Sequence, residues 1–170
     1  MTDYEIEYQK NPSACGDPFP EIVAFFDGLS LSEARVLDIG CGQGRDALMI
    51  ARYGHRVDGV DISPTGIGQM LARAQAENLR VNGKVEDVRR FLPDGNYDVV
   101  LLDRVVHMLG KTAEKIALLE KAQQATAEEG FVLISDTPSN MSLIETAFRD
   151  HKSWTLVCKK TGFRFFQRAA

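Results

Sequence analysis

Cysteine is scarce in this 170-residue sequence: Cys15, Cys41 and Cys158 are odd in number and show no CxxC spacing. Neither a disulfide framework nor a zinc ligand set follows from such a pattern, so no metal is expected and a reducing compartment fits. Long apolar runs are missing too. None approaches the ~18 residues a bilayer span requires, and the acidic start MTDYEIEYQK has no apolar stretch of the kind a secretory signal carries. A cytoplasmic location is the expectation. Excess positive charge is also lacking. With 20 Lys and Arg against 24 Asp and Glu, the net charge is -4, which disfavours nucleic acid as a partner. Internal repeats, low-complexity tracts and linkers are not seen. What remains is ordinary for a globular chain, 44% hydrophobic and 26% charged, and of a size suited to one domain with a proper core.

The most informative stretch is Val36-Leu37-Asp38-Ile39-Gly40-Cys41-Gly42-Gln43-Gly44-Arg45, followed by Val60-Asp61-Ile62-Ser63. An apolar strand runs into glycines on alternate positions, a helix follows, and a second strand ends in an acid. Such a turn can cradle a nucleotide, because glycine admits positive φ and lets a ligand approach without a Cβ in the way. An acid at the tip of the neighbouring strand can accept from ribose hydroxyls.

Strand-like runs at Arg35 to Ile39, Arg56 to Asp61, Arg80 to Glu86, Tyr97 to Leu102 and Gly130 to Ser135 alternate with helical ones. That alternation predicts an α/β fold with a parallel sheet covered on both faces. Helices are expected over Glu21 to Asp27, Gly44 to Tyr53 with Gly54 at its C′ position, Ser63 to about Asn78 with a Ser-Pro start, and Thr112 to Ala127. In the last of these Ile116, Leu119 and Ala122 are expected to face the sheet. After a helix at about Met141 to Asp150, Trp154 to Lys159 and Phe163 to Arg168 flank Thr161-Gly162, as an antiparallel hairpin does. Met70, Leu71, Phe163, Phe165 and Phe166 are expected in the core, and His55 and His151 at the surface. Arg149, Lys152, Lys159, Lys160, Arg164 and Arg168 face only Asp150 in that region. They read as solvated side chains guarding sheet edges, or alternatively as a docking patch on the hairpin for an acidic protein partner.

The glycine spacing is GxGxG, not GxGxxG, and VLDIGCGQGR with VDIS resembles the first two motifs of the class I S-adenosylmethionine-dependent methyltransferases. The nearest likeness is to the small tellurite-resistance and thiopurine type. The resemblance covers roughly residues 20 to 168. It implies a doubly wound, Rossmann-like seven-stranded sheet, order 3-2-1-4-5-7-6, with the last strand antiparallel, and S-adenosylmethionine as cofactor. By that resemblance Gly40, Cys41 and Gly42 hold the amino-acid end of the cofactor and Asp38 its ammonium through water. Arg45 supports the carboxylate end or the turn itself, Asp61 binds the ribose, and Ile62 lies against the adenine. Asp87 and Val88, in Glu86-Asp87-Val88, read the adenine edge. Asp103, ending the fourth-strand motif, contributes near the methionine end, while Arg104 and His107 are the polar groups best placed to meet a substrate. Both are catalytic candidates, with no catalytic residue assigned. Cys41 reads as a small structural side chain.

The connections are too short for the substrate lobe that many relatives insert. Residues 1–20 are therefore expected to form a mobile lid, with Tyr8 able to contact substrate, over a single methyltransferase domain at 21–170. No (Asp/Asn)-Pro-Pro-(Tyr/Phe) motif and no evident acid–base pair are present, so methyl transfer to a small, polarisable acceptor is expected, with His107 positioning it. Two alternatives stand beside this: a catalytically silent cofactor-binding partner subunit, and a nicotinamide-binding Rossmann oxidoreductase.

Overall fold

The computed structural model describes residues 4–149 and 153–170. Seven strands form one sheet in the order β3-β2-β1-β4-β5-β7-β6, and the chain divides into two compact units, Met1–Val88 and Arg89–Ala170. The expected doubly wound α/β order and the reversed last strand are both found.

The first unit holds β1 (Arg35–Ile39), β2 (Arg56–Asp61) and β3 (Val81–Val85), paired in parallel, with helices α1 (Tyr4–Lys10), α2 (Pro20–Asp27), α3 (Arg45–Arg52) and α4 (Pro64–Ala76). The inner strands β1 and β2 carry their apolar residues inward because parallel strands are covered on both faces; Val36, Leu37, Ile39, Val57 and Val60 are all buried, whereas the edge strand β3 has no buried residue. Ser63 caps α4 by accepting the Gly66 amide at 2.9 Å, and Pro64 opens it, so both start signals read from sequence are used. Gly54 follows α3 at φ +94°. Met70 is wholly buried, whereas Leu71 is only half-buried.

Two expectations fail in this unit. His55 is not at the surface but 3% exposed. Its Nδ1 accepts the Ala34 amide at 3.1 Å and its ring lies 5.7 Å from that of Phe26, so one hydrogen bond and one aromatic contact repay its burial. The N-terminal segment is not loop throughout: Tyr4–Lys10 is helical and packs on α4. Met1 to Asp3 of the expected lid lie outside the described residues.

The second unit holds β4 (Tyr97–Asp103), β5 (Thr126–Ser135), β6 (Trp154–Lys160) and β7 (Phe163–Arg168), with α5 (Thr112–Ala125) and α6 (Met141–Arg149). β4 and β5 are parallel, while β7 pairs antiparallel with both β5 and β6. Helix α5 ends two residues earlier than expected because Thr126 is already extended, its hydroxyl donating to the Ala122 carbonyl at 2.7 Å. Leu119 and Ala122 are buried as expected, with Leu118 and Ala125 buried beside them, whereas Ile116 is 37% exposed. Phe166 stacks on Phe148 with ring centres 3.9 Å apart, and Trp154 meets Phe148 edge-on at 5.1 Å. Such pairs contribute ~0.5–1.5 kcal/mol each beyond area burial, and they fasten α6 to the hairpin.

The basic C-terminal run is less free than its sequence implies. Glu145 on α6 accepts from Arg164 Nε at 2.6 Å and pairs with Lys159 at 3.1 Å. Arg164 is a buried, paired residue and not a solvated one. Asp150, His151 and Lys152 lie outside the described residues, as does the surface position expected for His151.

Candidate functional site

Asp38 lies in the buried end of β1, and the chain then turns through Gly40, Gly42 and Gly44 at φ +80°, +53° and +79°. These are left-handed conformations that side chains resist. Space is short as well. A Cβ on Gly42 would stand 2.5 Å from the Tyr8 hydroxyl, and one on Gly44 would run into Met70, 2.9 Å from its sulfur. The Gly40 and Cys41 amides both donate to the Val60 carbonyl, at 2.8 and 3.1 Å, which ties the turn to the end of β2.

Beside that tie stands Asp61. Its Oδ2 accepts the Gly42 amide at 2.9 Å and its Oδ1 the Ser63 amide at 2.8 Å, with the Ile62 amide as a further donor. Burial pushes its carboxyl above the ordinary range, against the pull of those amides. A carboxylate offers about four lone-pair directions, so three amides aim the group and leave one acceptor direction for a ligand hydroxyl. Ile62 is 63% exposed next to it, an apolar surface with nothing over it. Asp87 and Val88 follow β3, both half-buried, and the Glu86 amide donates to the Asp61 carbonyl at 2.9 Å.

Asp38 is 2% exposed, and its Oδ2 has no hydrogen-bond partner among the described residues. Burial, then the neighbouring Asp46 carboxylate, drives its carboxyl well above the usual value. A buried acceptor of this kind is costly unless something arrives to donate to it. Cys41 is buried with its thiol pushed up by burial, which favours the inert thiol and a packing role. Arg45 pairs with Asp46 at 2.9 Å, donates to the Cys15 carbonyl at 3.1 Å and lies over the Phe19 ring at 4.9 Å. It fastens the N-terminal segment to the turn.

That segment is tied down at several points. The Glu5 carboxylate caps the start of α4, accepting from the Ser63 hydroxyl at 2.5 Å and from Thr65, where a negative charge also meets the positive helix end. Gln69 donates to the Tyr8 carbonyl at 2.9 Å, and Gln43 donates to the Asn11 carbonyl at 2.7 Å while accepting the Cys15 amide at 3.2 Å. Tyr8 itself is 6% exposed, its hydroxyl taking the Cys15 thiol at 3.6 Å. Burial, then Cys15, pushes that hydroxyl's ionisation far up, so it stays neutral.

In the second unit Asp103 ends β4, buried, and exposed Arg104 follows at φ +59°, its amide donating to the Ser135 carbonyl at 2.8 Å. The chain then enters a short 3-10 turn, Val106–Met108, which carries His107. Asp136, directly after β5, receives both the His107 amide at 3.1 Å and its Nδ1 at 3.2 Å. Sequence reading offered His107 without a partner and Asp136 only as part of a pocket wall at Ser135 to Ser139, without pairing the two. The available signal was position, since Asp103 and Asp136 close the neighbouring parallel strands β4 and β5. Glu5, Gln43 and Gln69 were missed, because the contacts they make span large sequence separations. No group of His, Cys, Asp and Glu suited to a metal is found among the described residues, and no described helix is long and apolar enough to cross a membrane.

Comparison with known proteins agrees with this geometry. The family model described as "Methyltransferase domain" matches residues 36–130. The chain is 27% identical over 126 residues to "Ubiquinone biosynthesis O-methyltransferase" of Rickettsia akari, covering 74% of this chain and 45% of that protein. It is 29% identical over 104 residues to "Probable S-adenosyl-L-methionine-dependent methyltransferase TehB" of Haemophilus influenzae, covering 61% and 36%. The chain thus spans less than half the length of these curated relatives. In fold it is similar to the N-methyltransferase NodS from Bradyrhizobium japonicum, with a TM-score of 0.78, 14% identity, and 99% and 100% of the two chains covered. The matched segment takes in the glycine turn, Asp61 and the end of β4, and the chain belongs to the methyltransferase domain family, near the tellurite-resistance type that its motifs resemble.

Proposed function

We propose that the chain binds S-adenosylmethionine and catalyses methyl transfer to a small nucleophilic acceptor. The observation that carries this is the buried, partnerless Asp38 Oδ2 at the foot of a turn that has no room for a Cβ. The fit is chemical: an ammonium donor is what such an oxygen lacks, and backbone at positive φ suits an amino-acid end that approaches closely. Asp38, Gly40, Cys41, Gly42 and Arg45 would hold that end, Asp61 a ribose hydroxyl, Ile62 the adenine face, and Asp87 and Val88 its edge. Asp103 would serve the methionine end. When bound, the cofactor supplies an electrophilic methyl group. The protein's contribution is then mainly orientation, worth several kcal/mol when reacting atoms are held in line.

Residues 4–20 are read as a lid on the glycine turn, with Tyr8 its contact point. Support comes from Glu5 and Arg45, which clamp the segment at both ends. A small acceptor is supported by the short connections and by the small-molecule reaction named for the ubiquinone relative. The further preference for a polarisable acceptor rested on the want of an acid–base pair and on the resemblance to the tellurite-resistance and thiopurine group. The first ground lapses, since His107 and Asp136 form such a pair. Family membership and the GxGxG turn favour S-adenosylmethionine over a nicotinamide.

The test is calorimetry with S-adenosylhomocysteine and NAD, then turnover of labelled S-adenosylmethionine across thiol, metalloid, phenol, amine and protein acceptors. Binding of S-adenosylhomocysteine alone, with transfer to a small acceptor, is expected. Binding with no turnover anywhere would favour the silent partner subunit, and binding of NAD alone would reject the reading.

A further inference from the structure

Asp136 is a fully buried carboxylate that receives five hydrogen bonds and gives none. Oδ1 accepts from the Thr137 amide at 2.8 Å, the Thr137 hydroxyl at 3.2 Å and Asn140 Nδ2 at 2.6 Å, while Oδ2 accepts the His107 amide and faces His107 Nδ1 at 3.2 Å. Lys115 on α5 extends the chain by donating to Asn140 Oδ1 at 2.9 Å. Burial opposes ionisation, but the bonds from Asn140, Thr137 and His107 prevail and hold the Asp136 carboxyl below the ordinary range. An ionised carboxylate can only accept. His107 Nδ1 must therefore carry the ring proton, and the lone pair stands on Nε2, which makes no hydrogen bond among the described residues. The His107 side chain is 25% exposed whereas Asp136 is 0%, so the pair has a buried orienting end and an accessible basic end. It sits beyond the carboxyl ends of parallel strands, the customary ligand side of an open α/β sheet. Arg104 holds the left-handed conformation that turns the chain from β4 toward this position, a strain of the sort that collects at working sites.

Resting on the methyltransferase reading, we propose that His107 is the general base of the reaction, Asp136 its positioning residue, and a hydroxyl compound of phenol or enol type the acceptor. The logic is one of need. A thiol of pKa ~8.5 ionises readily by itself, and a neutral amine attacks with its own lone pair. A phenol of pKa ~10 is almost wholly neutral at pH 7 and attacks a methyl group only as its proton leaves. In that step the acceptor oxygen forms the new O–C bond, and the pair of the broken C–S bond stays on sulfur. The hydroxyl proton passes to His107 Nε2, so the positive charge leaving the sulfonium reappears on an imidazole beside Asp136 and departs with the proton to water. The arrangement repeats in outline the logic of a carboxylate that fixes a histidine tautomer.

Nitrogen-detected NMR of the full chain at about pH 8.5, above the ordinary imidazole pKa of ~6.5, reads the ring directly and without turnover. His107 should show a protonated Nδ1 and a bare Nε2, and Asp136→Asn, whose amide can also donate, should move the proton toward Nε2. Should that variant fail to fold, the wild-type spectrum decides. With catechol as hydroxyl probe and 2-mercaptoethanol as thiol probe, His107→Gln should lose ~100-fold or more in catechol methylation, with S-adenosylhomocysteine binding unchanged by calorimetry. A proton on Nε2 in the wild type, a His107→Gln loss within threefold, or transfer to the thiol with none to catechol would each overturn the proposal. A wild-type protein that binds no S-adenosylhomocysteine would instead overturn the methyltransferase reading, with the tautomer still judging the pair.

Discussion

The amide of Gly42 donates to Asp61 Oδ2 at 2.9 Å, so the two motifs that define this chain are joined by one hydrogen bond between a turn and a strand end. Asp61 is thereby both a prop for the glycine turn and an aimed acceptor. A ligand hydroxyl reaching its remaining lone pair meets a carboxylate already fixed by three amides.

Asp61→Ala is expected to keep the fold and to weaken S-adenosylhomocysteine binding tenfold or more. Loss of one charge-assisted bond costs ~1.5–3 kcal/mol, and 1.4 kcal/mol is tenfold. Calorimetry on a variant whose circular dichroism matches the parent checks this, and unchanged affinity would remove Asp61 from the site.

Gly42→Val and Gly44→Val should separate two kinds of crowding. At Gly44 the new side chain meets Met70 in the core, so the melting temperature should drop by roughly 5 °C or more, about 2 kcal/mol at this chain length. At Gly42 it meets the Tyr8 hydroxyl, so the segment should lift from the turn and binding should fail with a smaller stability loss. Equal melting shifts with full binding would contradict the geometry.

Glu5→Ala is expected to free α1 while leaving the rest of the first unit intact, because its carboxylate holds the Ser63 and Thr65 hydroxyls. Hydrogen exchange at residues 4–10 should quicken and slow again when S-adenosylhomocysteine is added. Deleting residues 1–18 should likewise preserve the fold and reduce turnover. Exchange across residues 4–17 indifferent to ligand would end the lid reading.

Asp38→Asn should trade binding for stability. The Asp38 carboxyl has an ordinary value of 3.8 and lies well above it in the folded chain, so the folded state holds its proton more tightly than the unfolded one. Its contribution is then fully present below about pH 3.8 and is lost as pH rises through the raised value. Relative to the parent, the variant's melting temperature should therefore gain more at pH 8 than at pH 4. S-adenosylhomocysteine affinity should fall. Melting curves at the two pH values and calorimetry decide it, and an equal shift at both would deny the buried charge.

Much of the frame was legible because it rests on short-range pattern. Apolar runs gave β1, β2 and β4, Ser63-Pro64 gave the start of α4, and the alternate glycines gave the turn. Residues whose role depends on a distant partner were not legible. His55 reads as a turn residue until Phe26 and the Ala34 amide close over it, and Arg164 reads as solvated until Glu145 arrives from α6. Ile116 has the right spacing for burial, yet it remains 37% exposed at the margin of the buried face of α5.

By itself the sequence determined the alternation of strands and helices, the glycine turn and the acid beside it, since side-chain period and the need for positive φ act over a few residues, whereas the strand order was implied only by the family resemblance. Tertiary structure alone decided that Glu5 joins the N-terminal helix to the start of α4, that Arg45 holds the Cys15 carbonyl beside the turn, and that Asp136 orients His107. Such pairings bring together groups far apart in the chain. Their free energy depends on burial and on hydrogen-bond geometry that exist only once the strands have been laid side by side.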